Sequence, residues 1–596
     1  MTDTATEERP GRAVLALWQR CFAISPGLVV TIVGWGVVAA LAQVLTVLPA
    51  ADAVQRSVRD GGSAGSLAPP VVLLSVLLGT AAVARVALDA YTWKLGRMLN
   101  GGLRAEVMAA VSSPADIGHL ENPTLRDDVD VAVGVGPGRH NPGGAVVRTA
   151  MRATTGLQTA AAVVILVTVS PLAGLLAGLT MILSRSFFAR VVRLYAVEMA
   201  EDAMVYRRVN YVRQLMWQPN VSREIRVFDI WPWVRREVDV AWDHVEAEER
   251  RQRRRARRAF IVAIMVFAGG FAVTLAVAFS RWSSGGSLSD VVVTVTLVSG
   301  LAIATSRRLV DSDQNVELGA RALPVAEALV ARTTAPEPGT TLLDGHGPVA
   351  LTCRDLTFSY PWTDRTPALS DVSFEVPAGQ RIGIVGLNGA GKSTMLKLLC
   401  GFYRPDPGQL WLDGVDVAEL DRSAWQASIA VVHQEFARYP GSLAFNVAGR
   451  KDASVELVLE CLDDVELGSL VETLPDGLDT VLGLGGSLSG GQWQRIAVAR
   501  ALYRARDGAR LLLLDEPTAA LDATSEVVLA ERIKERCAGM TTVMVTHRLS
   551  FARDADAILV FENGRIVERG THDSLVAADG LYAAMFALQA AGWQTA

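Results

Sequence analysis

Cysteine is scarce and scattered in this sequence. Its five cysteines, Cys21, Cys353, Cys400, Cys461 and Cys537, form no CxxC pair in 596 residues. That excludes a cysteine zinc site and a disulfide framework, and fits a reducing compartment. Charge is thin as well: charged residues make up 20% of the chain and hydrophobic ones 50%. Such a balance suits a chain with membrane spans better than a soluble enzyme. There is no surplus of positive charge, since the formal net charge is -5, and this argues against a nucleic-acid partner for the whole chain. The amino terminus has no small-residue cleavage site after its first apolar run, so residues 1–23 read as a cytoplasmic lead-in and not a signal peptide.

What the sequence does have is a series of uncharged runs. Residues 28–48 are long enough to cross a hydrocarbon core of about 30 Å. Residues 61–84 are also uncharged; their opening residues are small and include Pro69 and Pro70, so the second helix is expected to start near residues 67–71. Residues 153–184 carry no charge, and Ser170-Pro171 in their middle predicts a tight turn between a third and a fourth helix. Residues 259–280 and about 291–306 supply the fifth and sixth spans.

Six spans leave short outside connections and two long ones, residues 91–152 and 185–258. Arginines cluster beside the membrane at the ends of the long connections (Arg185, Arg190, Arg193, Arg250 to Arg258), which places these connections and both termini in the cytoplasm of a multi-pass inner-membrane protein. The run EERRQRRRARR, residues 248–258, reads as a membrane anchor and not a nucleic-acid patch, because it abuts a span. Arg85 and Asp89, four apart near a helix end, read as a local helix pair or an interface charge. Residues 24–331 form the expected six-helix domain. The segment 332–348, rich in Pro, Gly and Thr, is a linker, and residues 349–590 have the composition of an α/β domain.

In that second domain a strand-like run ends in Gly386-Leu387-Asn388-Gly389-Ala390-Gly391-Lys392-Ser393-Thr394 and an apolar helix follows. This is a P-loop in its proper setting. Its glycines let backbone N–H groups wrap an anion at a helix N-terminus; Lys392 reaches the β- and γ-phosphates and Ser393 ligates Mg2+. The buried-strand pattern Leu511 to Leu514 ends in Asp515 and Glu516. Asp515 is expected to hold magnesium, and Glu516 to polarise the attacking water as general base.

Leu488-Ser489-Gly490-Gly491-Gln492, just ahead of Asp515, resembles the signature of the ABC ATPases. Other elements are similar to that family in order. Tyr360 in FSYP resembles the aromatic that stacks on adenine, Gln434 in VVHQEF the Q-loop residue that also serves the metal, Asp522 in AALD the D-loop, and His547 in VTHRLS the switch histidine. His433, beside Gln434, reads as a surface neighbour. The first half is similar to exporter-type half-transporters, and residues 119–132 and 222–231 resemble the coupling helices that dock on the ATPase domains; the excess of arginine over lysine in this chain is the bias expected of a GC-rich bacterial genome. Gly483 stands where many exporters have glutamate, and Ala519 replaces a common serine.

The resemblance implies a multidomain protein: an all-α six-helix transmembrane domain followed by an α/β P-loop ABC ATPase domain. It implies ATP and Mg2+ as cofactors, with Ser489, Gly490, Gly491 and Gln492 serving the nucleotide on the opposite subunit. A second half-transporter, identical or related, is therefore expected as partner, along with membrane lipid and an unidentified small-molecule, peptide or lipid substrate. Export by alternating access is the expected function. Uptake on the same scaffold and a soluble ABC ATPase are the alternatives.

Overall fold

A computed structural model describes residues 10–59, 61–122, 125, 128–129, 132, 141–198, 211, 219–310, 313–333, 339–343, 345–361, 367–483, 488–518 and 523–594. The chain divides into two compact units: residues 1–110 with 124–332, and residues 111–123 with 333–596.

The first unit is helical. The helix Pro10–Ile24 falls in the segment read as a lead-in, and Ser25 separates it from the helix Pro26–Leu45. That helix breaks at Thr46 and resumes as Val47–Arg59. Pro49 explains the break, because it has no N–H to offer the carbonyl of Leu45 and its ring crowds that carbonyl. The next helix runs from Ala64 to Ser112. It starts earlier than the prolines suggested, because the Ser63 carbonyl accepts from the N–H groups of Ser66 and Leu67 and begins the turn ahead of them. The Ser66 carbonyl, deprived of its helical donor by Pro70, faces the Arg56 guanidinium at 3.5 Å.

Ser170 interrupts the expected hairpin between Pro142–Val169 and Pro171–Glu198, with its backbone extended at φ -149° and ψ 103°. The helices Trp231–Ser283 and Leu288–Val310 complete the set of six. Among the described residues, four helical stretches are long and apolar enough to cross a membrane: Pro26–Arg59, Ala64–Ser112, Pro142–Val169 and Ile264–Ser283. Pro171–Ser184 and Leu288–Ile303 are shorter apolar helices. The bundle has short connections at one end (residues 60–63, Ser170 and residues 284–287) and long ones at the other. Val44, Val47, Ala162, Leu166, Phe271 and Leu297 pack into one of its apolar cores.

The second unit contains two sheets. A four-stranded antiparallel sheet has the order β2-β1-β4-β5, from Leu351–Phe358 (β1), Leu369–Val376 (β2), Leu410–Leu412 (β4) and Val415–Asp416 (β5). A six-stranded sheet has the order β10-β9-β3-β8-β7-β6. It comprises Arg381–Gly386 (β3), Ile429–Val432 (β6), Leu511–Asp515 (β7), Thr541–Val545 (β8), Ala557–Glu562 (β9) and Arg565–Gly570 (β10). Strands β9, β3, β8, β7 and β6 are parallel and only β10 runs antiparallel. Every residue of β7 and β8 is buried, as expected of a parallel sheet covered on both faces. Part of the segment read as a linker is tied down: Thr341 donates to Glu419 and accepts from Asp421 through the backbone.

Candidate functional site

In an open parallel sheet the carboxyl ends of the strands point loops toward one edge, and that edge collects ligands. Four of the sequence-selected segments lie there. The loop 387–391 follows β3, Gln434 follows β6, Glu516 follows β7 and His547 follows β8.

The loop after β3 fits an anion. Gly391 caps the helix Lys392–Leu399 at φ 102°, and a Cβ there would come within 2.8 Å of the Leu369 side chain. At Gly386 a Cβ would meet the Phe561 carbonyl at 2.2 Å. No L side chain fits either position, so the loop stays narrow and N–H groups such as those of Asn388 and Gly389 remain the available lining, while the Ala390 N–H donates to the Leu387 carbonyl at 3.2 Å. Lys392 Nζ donates to the carbonyls of Gly386 at 2.8 Å and Leu387 at 2.9 Å. Burial pulls its pKa below the usual lysine value, against the opposing pull of Glu516 and Asp515. Ser393 is exposed at the helix start, whereas Thr394 is buried and its Oγ1 meets the Tyr360 hydroxyl at 3.1 Å.

Tyr360 is held by aromatic edges. Phe358 and Tyr403 pack against it with ring centroids 5.2 Å and 5.3 Å away, and the Lys397 ammonium stands 5.3 Å from its ring. Its position is therefore set by four neighbours before any base is present.

The carboxylates beyond β7 have different surroundings. Asp515 is 9% exposed, and burial, with Glu516 adding to it, pushes its pKa up to about 6. Glu516 adopts φ 50°, a left-handed conformation that costs a non-glycine residue energy and tends to occur where function requires it. The turn aims its carboxylate at two partners. Gln434 Nε2 donates to Oε2 at 3.1 Å, and His547 Nδ1 lies 2.8 Å from Oε1. Three residues chosen from separate motifs thus meet at one carboxylate. The Mg2+ expected at this edge fits the donors present, since the Ser393 hydroxyl, the Asp515 carboxylate and the Gln434 amide oxygen are all hard oxygen ligands.

Ser489 caps the helix Gly490–Arg506 in a capping box: its Oγ accepts from the Gln492 N–H at 3.1 Å and its N–H donates to Gln492 Oε1 at 2.8 Å. The structure first uses the Ser489 and Gln492 side chains to fix the helix start, leaving the Ser489 hydroxyl proton and the N–H groups of Gly490 and Gly491 for a ligand. Asp522 and Ala519 lie outside the described residues. Gly483 has φ 93°, so a glutamate would be strained at this position. His433 is not a surface neighbour: half-buried, its ring stacks on Phe402 at 5.6 Å, away from Glu516, and burial lowers its pKa.

Two residues absent from the motif reading support this edge. Gln494, 3% exposed, donates to the Pro517 carbonyl at 2.7 Å and ties the signature helix to the turn after Glu516. Gln589 accepts from the Leu549 N–H at 3.0 Å and donates to the His547 carbonyl, so the last helix clamps the histidine loop. The Ser-x-x-Gln capping box is legible in sequence; the two glutamine clamps are not.

Residues 111–123 belong to this same unit. Ile117 donates through its N–H to the Phe402 carbonyl at 3.2 Å, and Gln426 Nε2 donates to the Ala115 carbonyl at 2.7 Å. Asp116 pairs with the buried Arg422 at 3.2 Å, and Glu121 pairs with Lys397 at 2.7 Å while accepting from the Tyr403 hydroxyl. Burial raises the Glu121 pKa, but the bonds from Lys397 and Tyr403 outweigh it and hold the carboxyl below its usual value. Residues 119–122 of the first coupling segment therefore join a docked stretch that begins upstream of the motif. The second, residues 222–231, forms the helix Pro219–Val227 and a turn whose Phe228 is 70% exposed.

A family model described as ABC transporter matches residues 369–519. An ATP-dependent lipid A-core flippase of Chromobacterium violaceum is 36% identical over 333 residues, 55% of this chain and 54% of that protein. A protein of the same description from Thiobacillus denitrificans is 31% identical over 405 residues, 67% of this chain and 63% of that one. A sophorolipid transporter of Starmerella bombicola is 42% identical over 245 residues, 40% of this chain and 19% of that one. The chain thus spans about half the length of the flippases it matches. In structure it is similar to a bacterial Atm1-family ABC exporter with ATP bound, at a TM-score of 0.72, 24% identity, and 95% and 99% coverage of the two chains.

Proposed function

We propose that this chain is an exporter-type half-transporter of the ABC transporter superfamily, which exports a solute across the cytoplasmic membrane at the expense of ATP; the family match over residues 369–519 and the likeness in fold support the reading. The observation that carries the reading is the meeting of Gln434, Glu516 and His547 at the sheet edge that bears the P-loop. The apolar helices of the first unit argue against the soluble-ATPase alternative.

In this reading the loop N–H groups and Lys392 bind the phosphates and Tyr360 stacks on the adenine. Ser393, Gln434 and Asp515 hold magnesium, which when bound offsets charge on the phosphates. Glu516 takes the proton of the attacking water at its carboxylate, oriented by Gln434 on one oxygen and His547 on the other. The first turn of Gly490–Arg506 and Asp522 serve the nucleotide of a second half-transporter, so the working form is a dimer. The arginines beside the long connections support a cytoplasmic ATPase domain.

The expected result for Glu516→Gln is retained nucleotide binding with turnover reduced by at least about a hundredfold, the scale of a lost general base. Full ATPase activity in that variant, measured on the purified full chain, would sink the assignment.

A further inference from the structure

The first unit contains a cavity of about 670 Å³ bordered by the helices Pro26–Leu45, Ala64–Ser112, Pro142–Val169 and Leu288–Val310. Its lining is unusual for apolar helices. Three guanidinium groups, Arg85, Arg148 and Arg152, face it, and among its described lining residues there is no carboxylate. Asp89, one turn from Arg85, does not line the cavity and makes no ion pair with Arg85 among the described residues. The local helix pair suggested by their spacing is therefore not formed.

The arginines share a level. The uncharged run of the second membrane helix ends at Arg85, and the uncharged run of the third begins just after Arg152. The uncharged helical stretches 64–84 and 153–169, of 21 and 17 residues, span roughly 32 and 26 Å at 1.5 Å per residue. Both arginines thus sit where the lipid gives way to headgroups, at the long-connection end. Arg148 lies one turn beyond Arg152 on the same helix face, and Thr155 and Thr159 continue that face inward.

At the other end the lining changes character. Val44, Val47, Ala162, Leu297 and Leu301 border the cavity and also belong to an apolar core of the bundle. The cavity is therefore cationic at headgroup level and, toward the short-loop end, carries this apolar strip beside the polar Gln43, Thr46 and Thr296. Charged groups within a membrane domain are costly and are retained for a ligand or a partner.

We propose that the transported substrate is an amphiphile with an anionic phosphate or carboxylate headgroup, held by Arg85, Arg148 and Arg152, with its apolar chain against the Val44–Val47 and Leu297–Leu301 wall. This rests on the transporter reading and adds its substrate class. Guanidinium forks match either oxyanion in two-point contact, and the Thr155 and Thr159 hydroxyls, whose protons go to the Met151 and Thr155 carbonyls, keep lone pairs to accept from a donor on the neck.

The test uses the full chain in phosphatidylcholine nanodiscs without nucleotide. Binding of lysophosphatidic acid is compared with that of lysophosphatidylcholine of equal chain length and with glycerol 3-phosphate, which has the headgroup alone. The expected preference for lysophosphatidic acid over lysophosphatidylcholine is at least about tenfold, the scale of one charge-assisted hydrogen bond. Arg85→Gln with Arg148→Gln should abolish it, while the corresponding double lysine variant should keep most of it and controls for folding. Equal binding of the two lysolipids, a preference that survives the double glutamine variant, or glycerol 3-phosphate binding as tightly as the lysolipid would each overturn the proposal. Because no nucleotide is present, such a result leaves the ATPase reading standing. Loss of that reading through an active Glu516→Gln variant leaves the lipid preference measurable.

Discussion

Gln494 is buried in a helix, yet its amide spans the gap to the turn after the general base, with Pro517 accepting at 2.7 Å. Replacing it by alanine strands a buried carbonyl, which costs about 1 to 3 kcal/mol. The strain held at Glu516, φ 50°, then loses one of its restraints. Gln494→Ala should therefore lower turnover several-fold and reduce the thermal stability of the ATPase domain, with ATP affinity nearly unchanged because the P-loop lies on another strand. Calorimetry and steady-state ATPase assays would check both; an unaltered turnover rate would remove Gln494 from the site. Residues such as Lys392, Glu516 and His547 were legible in sequence because phosphate chemistry demands a given side chain at the end of a given strand. Gln494 and Gln589 were not, since an amide has meaning only through the carbonyls that folding brings to it.

Among elements, the helix Ala64–Ser112 has 49 residues and Trp231–Ser283 has 53, about 74 and 80 Å at 1.5 Å per residue. Hydropathy located their membrane segments, because lipid forbids charge there, but it carried no information on how far each helix continues into water. The docked stretch after Ala64–Ser112 was visible only as a family resemblance, and its start at Ala115 and Asp116 was missed. Those residues matter through Gln426 and Arg422, more than 300 positions away in the chain. Glu121 and Lys397 are each 32% exposed, so the pair is worth no more than about 1 kcal/mol by itself. Its effect is expected in coupling. Glu121→Gln should preserve ATPase activity while lowering transport per ATP in proteoliposomes; equal coupling ratios would refute that role. The pH dependence has a definite sign. The folded Glu121 pKa lies below its ordinary 4.5, so the contact contributes fully above that value and is lost as pH falls through the depressed one. Hydrogen exchange of residues 115–122 should rise on acidification below about pH 4.5 in the wild type, and Glu121→Gln should remove this step.

At the scale of the whole molecule, two features call for a second chain. Phe228 is 70% exposed, Trp231 50% and Trp233 54%, all around the turn of the second coupling segment, and aromatic tips of this kind gain energy only by entering a groove. The signature helix also begins at a capped N-terminus, where the N–H groups of Gly490 and Gly491 are left for an anion. If that anion is the phosphate of the partner's nucleotide, defects in the two motifs must complement each other across chains. Lys392→Ala disables the P-loop of one chain, and Ser489→Arg disables the signature of the other. Each variant alone gives a dimer with no intact site. In a mixed dimer both lesions fall on the same composite site, and the other site has an intact P-loop facing an intact signature. Random pairing makes about half the dimers mixed, each with one of two sites whole, so mixing should restore up to about a quarter of the wild-type ATPase activity. If each chain used its own signature, every site would carry one lesion and mixing would restore nothing. Co-expression with two affinity tags, followed by tandem purification, isolates the mixed dimer, in which one of two sites is whole and up to about half of the wild-type activity is expected.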